Sequence, residues 1–305
     1  MRFTKMHGLG NDYVYIDAVS EPALESLDWP SLSAYMSDRY TGIGGDGVIL
    51  ICPPRSRDCH ARMRTFNADG SESGACGNGT RCVARFVRDR LGYTDATLRI
   101  ESGRRVLESE PVGNDEVRVA MGEPGLAFAD CHLNATELAS TEPTAIDIEG
   151  RLLTFTPVSM GNPHAVAFET ANQWLDRDLA SEVRRLGPRI EHHPAFSQRT
   201  NAHLVRIESR THAIIHTWER GAGPTRACGT GACAVLVAAV LAGTLDHTAT
   251  LTLPGGDLQV SWTPQEAGGD GIVRQCGPAT FVFDGTWIDR DSARLAGAAS
   301  PGSFA

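Results

Sequence analysis

ACGNGTRC at residues 75–82 returns as ACGTGAC at residues 227–233, with Cys76 and Cys228 offset by 152 positions. Three more landmarks recur in the same order. GLGND, with Gly10 and Asn11, is answered by SMGNPH, with Gly161 and Asn162, at an offset of 151. Ser102-Gly103 before RRVLES matches Gly255-Gly256 before DLQVSW at 153, and GEPGLAFAD from Gly122 is echoed by GPATFVFDG from Gly277 at 155. Each match is weak alone, but four in register imply a duplicated half. The length of 305 residues fits two domains of about 150 each. A domain of that size buries about 70% of its unfolded surface and needs no staple.

Outward from the two phrases, both halves read alike. VYIDAV, GVILIC, ARMRTFNA, ATLRIES and EVRVAMG alternate or run apolar between Gly, Pro, Asn or Asp, as strands do. One helix is expected after each cysteine phrase, from Gly77 to about Leu91 and from Gly229 to about Ala242. The second is apolar all round and should be buried on every side. The first carries Arg81, Arg85 and Arg88 as an expected exposed stripe, with Val83, Ala84, Phe86 and Val87 covering its buried side. The expected fold class is α/β (α+β): two pseudo-symmetric halves, each a curved, mostly antiparallel sheet wrapped around a central helix. PPRSRDC, after GVILIC, reads as an exposed loop.

Composition narrows the partners. The formal net charge is −9, and no basic block appears, which argues against nucleic acid and anionic membrane. MRFTKMHGLGNDY lacks the apolar centre of a signal peptide. The longest small-and-apolar run, from Ala232 to Ala242, is half of the ~20 residues needed to span a bilayer. A soluble, cytoplasmic protein is the expectation. Of 28 basic residues only Lys5 is lysine. Pyridoxal phosphate is held as a Schiff base on a lysine, and a lone lysine in a strand-like opening is a poor carrier, so no cofactor is expected.

In both phrases a cysteine directly precedes Gly-Asn-Gly or Gly-Thr-Gly and a helix. The glycines permit close approach of a ligand to the backbone. The first N–H groups of a helix lack partners and can bind a carboxylate. The same helix start favours thiolate over thiol. Duplication would set the two starts face to face, so that one pocket holds two thiols and two anion-binding helix ends. Inverting an α-carbon needs that equipment: a base on one face, an acid on the other, and a firm hold on the carboxylate where charge develops. Cys52, Cys59, Cys82, Cys131, Cys233 and Cys276 read as small buried fillers. The gaps from Cys76 to Cys82 and from Cys228 to Cys233 do not match a zinc pattern, and no metal is expected.

MHGLGNDYVYID, DRYTGIGGDGVIL, FNADGSESGACGNGTRC, GNPHAV, ERGAGPTRACGTGAC and LPGGDLQV together resemble diaminopimelate epimerase, in order, to about Phe283. The resemblance implies an epimerase that needs no pyridoxal phosphate and interconverts LL- and meso-2,6-diaminopimelate for lysine and peptidoglycan precursor synthesis. Its implied halves are residues 1–121 plus 277–290, with Cys76, and residues 122–276, with Cys228. Residues 291–305 would form a flexible tail. Cys76 and Cys228 match the catalytic pair, and Gly77-Asn78 and Gly229-Thr230 match the helix ends that hold the α-carboxylate. Asn11, Asn67, Asn162, Asn201 and Arg220 match substrate-binding residues. An arginine suits a distal carboxylate because it can clamp it through two parallel hydrogen bonds. His164 and Glu219 match residues beside the thiols that help catalysis, with Glu219 also among those touching substrate. A homodimer is implied as well.

Two departures stand out. Gly47 replaces a glutamine that touches substrate in many members, and Pro224 replaces a frequent glutamate. GIGGDG at Gly42–Gly47 has no Lys-Ser/Thr after it and reads as a turn shaping the pocket. The competing readings are a proline, hydroxyproline or histidine racemase on the same scaffold, and a thiol-redox or thiol-based ligand-binding protein. The first would leave Arg220, Asn67 and Asn201 without a shared purpose; the second predicts a functional Cys76–Cys228 disulfide.

Overall fold

The computed structural model describes residues 1–73, 77–113 and 115–288. Cys76 and the expected tail at 291–305 lie outside the described residues. The chain divides into two compact units. One comprises Met1–Gly8, Asp12–Ser109 and the residues from Ala279 on; the other comprises Leu9–Asn11 and Glu110–Pro278.

The first unit has α1 (Trp29–Ser37) and α2 (Gly77–Leu91). Its strands pair in a fixed alternation. Asn11–Asp17 runs parallel to Gly47–Cys52, which is antiparallel to Ala61–Asn67. Ala61–Asn67 runs antiparallel to Glu72–Ser73 and parallel to Leu98–Ser102, which turns back into Arg105–Val112. The strand Thr280–Thr286 returns to pair with Arg2–Gly8.

The second unit, with α3 (Leu179–Glu191) and α4 (Gly229–Leu241), repeats that alternation. Pro163–Phe168 runs parallel to Asn201–Ser209, which is antiparallel to His212–Glu219. His212–Glu219 runs antiparallel to Gly223–Pro224 and parallel to Thr248–Leu253, which turns back into Gly256–Ser261. The duplication read from four short landmarks therefore extends to the hydrogen-bond ladders. Most pairings are antiparallel, with a helix inserted at the same point of each half.

α4 is buried around its circumference from Gly231 through Ala239, as its all-apolar sequence there requires. α2 departs from expectation at its arginines. Arg81 is fully buried, its guanidinium donating to Asn78 Oδ1 at 2.9 Å. Arg85 donates to the Ala279 carbonyl and lies over the Phe281 ring at 4.8 Å. Spacing alone marks a polar stripe as exposed; here the returning strand brings an acceptor and a ring that a local pattern cannot show. α1 and α3, which the sequence reading did not place, are capped by Asp28 and Asp178, whose carboxylates accept the Ser31 and Ser181 N–H groups. Leu179, Val183, Leu186 and Ile190 of α3 form a stripe packed on Ile146, Leu153, Phe155 and Leu204.

Candidate active site

Cys228 is the N-cap residue of α4, with extended backbone angles. It is 3% exposed, and its Sγ lies 3.7 Å from Thr230 Oγ1. Gly231, in the first turn, has no room for a side chain. A Cβ there would sit 2.3 Å from His203 Cε1 and 3.0 Å from the Cys228 sulfur. The second glycine of the phrase is thus required by packing under the thiol.

The helix start was expected to favour thiolate, and for Cys228 the balance runs the other way. Burial pushes its pKa well above the usual thiol range, and the Glu219 carboxylate adds to the push. The Thr230 hydroxyl and the Gly231 N–H pull it down without prevailing. At neutral pH Cys228 therefore holds its proton. Desolvation of a charged sulfur outweighs two hydrogen bonds to it.

Glu219 ends the strand His212–Glu219 and accepts the Thr225 hydroxyl at 2.6 Å. The chain then turns through Gly221 and Gly223, both with positive φ, and folds Gly223–Pro224 back on Trp218–Glu219. This loop is tied down at several points. Asn201 Oδ1 accepts the Arg220 N–H at 3.0 Å, and Glu191 Oε1 accepts the Gly221 N–H at 2.9 Å. Glu191, 2% exposed, also accepts Trp218 Nε1 at 2.7 Å and an Arg199 nitrogen at 3.1 Å. The Arg220 guanidinium donates to the Gln198 carbonyl at 2.9 Å.

Parallel pairing puts His164 opposite Asn201. Asn201 Nδ2 donates to the Pro163 carbonyl at 2.8 Å, so one amide joins the His164 strand to the Arg220 loop. His164 Nε2 meets Asn162 Oδ1 at 3.0 Å, and Asn162 Nδ2 meets Thr230 Oγ1 at 3.5 Å. One connected cluster thus holds Asn162, His164, Asn201, Arg220, Thr230 and Cys228, with Glu219 and Gly229 adjoining. Gly10 of the Leu9–Asn11 turn, which carries Asn11, packs against Arg226, where an added Cβ would lie 3.0 Å from Nε.

In the first unit Gly77 and Asn78 open α2, both buried. Asn67 ends its strand opposite Gly47 and donates from Nδ2 to Ser71 Oγ at 2.9 Å. A Cβ on Gly47 would lie 2.1 Å from the Phe66 carbonyl oxygen, so this backbone admits no glutamine there. Cys76 itself is outside the described residues. Gly44 of GIGGDG is held by Lys5, which also pairs with Asp12 at 2.6 Å. Among the described residues, no group of three or more His, Cys, Asp or Glu is placed to hold a metal ion.

Sequence reasoning missed His203, Thr217, Thr225 and Glu191. For His203 a signal was present: it lies two positions after Asn201, on the same face of a strand.

The fold is shared with isomerases of several kinds. A probable proline racemase from Agrobacterium radiobacter K84 matches with a TM-score of 0.66 at 16% identity, over 98% of this chain and 96% of that one. A methylitaconate-delta-isomerase matches at 0.62 and 14%, over 100% and 99%. At such identities the likeness concerns fold alone. The family model of diaminopimelate epimerase matches residues 3–127 and 156–282. The diaminopimelate epimerase of Ectopseudomonas mendocina (strain ymp) is 42% identical over 285 residues, 93% of this chain and 98% of its own. That of Acetivibrio thermocellus is 44% identical over 291 residues, covering 93% and 98%. The chain belongs to the diaminopimelate epimerase family.

Proposed function

We propose that the protein interconverts LL-2,6-diaminopimelate and meso-diaminopimelate by proton transfer at one α-carbon, in lysine and peptidoglycan precursor synthesis. The observation that carries the reading is the surrounding of Cys228: a buried thiol at a helix start, with the Thr230 hydroxyl and the Asn162–His164 pair beside it and the Glu219 carboxylate near enough to raise its pKa. A protonated thiol is the acid half of a two-base pair. Cys76, at the same place in the other phrase, is assigned the base. In the reverse direction the two exchange roles.

The α-proton of an amino acid is very weakly acidic, so the developing carbanion needs its carboxylate held by fixed donors. Gly77-Asn78 and Gly229-Thr230 are assigned that task at the starts of α2 and α4, since a helix start suits an anion. Arg220, with Asn11, Asn67, Asn162 and Asn201, is assigned the distal amino-acid end. The Asn201 amide is bonded to Pro163 and Arg220, which supports a share in placing Arg220. Glu219 and His164 are assigned to the reacting end, beside Cys228. No cofactor enters this chemistry.

A homodimer and a cytoplasmic setting follow from the family reading; among the described residues no helix is long and apolar enough to cross a membrane.

The test is incubation of reduced enzyme with LL-diaminopimelate in D₂O without added pyridoxal phosphate. Meso product carrying deuterium at one α-carbon is expected. No product and no exchange, with free thiols and with proline turned over instead, would overturn the substrate assignment.

A further inference from the structure

Behind Cys228, side chains in the second unit form a line of hydrogen bonds that runs past His164 to His203 and Thr217, which the reaction scheme above does not use. Thr217 Oγ1 lies 2.9 Å from His203 Nδ1, and His203 Nε2 lies 2.9 Å from His164 Nδ1. His164 Nε2 lies 3.0 Å from Asn162 Oδ1. Asn162 Nδ2 then reaches Thr230 Oγ1 at 3.5 Å, and that hydroxyl reaches the Cys228 sulfur at 3.7 Å. Thr217, His203 and His164 are all buried, His203 completely. Its ring packs directly against Gly231 in the first turn of α4.

Valence gives the line a direction. The Asn162 carbonyl oxygen can only accept, so His164 must carry its proton on Nε2. A neutral imidazole protonated there presents a bare Nδ1, so His203 must donate from its own Nε2. His203 Nδ1 is then bare and accepts the Thr217 hydroxyl proton. At the other end Asn162 Nδ2 donates to Thr230 Oγ1, and the Thr230 hydroxyl keeps its own proton to give to the sulfur as thiolate, the bond that lowers the Cys228 pKa. Burial keeps both rings neutral: it depresses His203 to about 3, and His164 well below the ordinary histidine range, with His203 and Arg220 adding to the latter shift. The charged groups bearing on the two ends are Arg220, toward His164, and Glu219, toward Cys228.

We infer that His203 and Thr217 are positioning residues, which set the tautomer of His164 and, through Asn162 and Thr230, hold a hydroxyl proton on the Cys228 sulfur. The bearing of this on turnover rests on the epimerase reading; the proton arrangement does not. When Cys228 gives up its proton, a hydroxyl already aimed at the sulfur stabilises the new thiolate without reorganisation. A line with all donors pointing one way also strengthens each member by polarising the next.

The test uses full-length protein labelled with ¹⁵N in histidine. Two-bond ¹H–¹⁵N correlations report the tautomer of each ring, with His164→Gln and His203→Gln supplying assignments. Both rings are expected neutral, with the proton on Nε2, from about pH 6 to about pH 9. Thr217→Val keeps the shape and removes the hydroxyl. It is expected to lower kcat about 3- to 10-fold with KM within about twofold, the size of one lost hydrogen bond. It should also raise the pH at which iodoacetamide modifies Cys228, read by peptide mass against Cys228→Ser, and Thr217→Ser should restore both. A His164 proton on Nδ1, or a Thr217→Val enzyme unchanged in kcat and in Cys228 modification, would overturn the inference. The expected tautomers and modification shift in a protein that turns over no diaminopimelate would support the proton line and count against the epimerase reading alone.

Discussion

Glu219 acts on Cys228 through charge, and its sign can be followed through pH. A carboxylate near a thiol raises the thiol's pKa, and Cys228 is already raised by burial. Cys228 must be protonated to serve as acid, so activity in that direction is lost as pH rises through its pKa. In Glu219→Gln the Thr225 hydroxyl keeps an acceptor while the charge is removed. The basic limb of the kcat/KM profile is expected to move to lower pH, beyond whatever kcat is lost. A profile whose limb stays in place would remove Glu219 from control of the thiol. Among these residues the cysteine phrases were legible because chemistry repeats in them. Glu219 and Arg220 were legible only through the family pattern, since their roles depend on a loop fold that no local spacing encodes. Spacing also predicts Arg81 exposed, whereas it is fully buried, with Asn78 of the same helix supplying an acceptor for its guanidinium.

The loop from Glu219 to Gly223 depends on α3, although no residue of α3 belongs to the proposed site. Glu191, at the helix end, binds the Gly221 N–H and the Trp218 indole, and Gly187 lies flat under that indole, where a Cβ would be 2.4 Å from Cγ. Replacing Glu191 by Ala leaves buried donors unpaired, which costs about 1–3 kcal/mol for such groups. The expected result is a lower urea midpoint together with a several-fold higher KM for diaminopimelate, because Arg220 directly precedes Gly221, whose N–H Glu191 holds. Unchanged KM in a destabilised protein would restrict Glu191 to stability. The apolar stripe of α3 is present in the sequence, but no repeated phrase announces it as the cysteine phrases announce α2 and α4. Its Asp-x-x-Ser start, Asp178 to Ser181, is an ordinary capping signal.

At the scale of the whole chain, both units carry the same succession of parallel and antiparallel pairings, and the second borrows Leu9–Asn11 from the opening segment. The dimer expectation is checked by sedimentation equilibrium on the full chain. The expected mass is twice that of the 32.7 kDa chain, and a single-chain mass across micromolar concentrations would withdraw it. The amino-acid sequence by itself determined the duplication, the two helix starts, and the placing of a cysteine before each. These follow from short-range rules: glycines for close approach, apolar periodicity for burial, and repetition for shared architecture. Only the tertiary structure decided that Cys228 holds its proton, that Arg81 is buried, and that His203 and Thr217 stand behind His164. The first and last of these depend on burial and on partners distant in the chain, whereas Arg81, whose acceptor Asn78 is a helix neighbour, depends on what packs over it. Thr217 and His203 are brought together by antiparallel register, and His164 is brought beside Asn201 by parallel register. Register is a sum over whole strands, and no single stretch of the sequence states it.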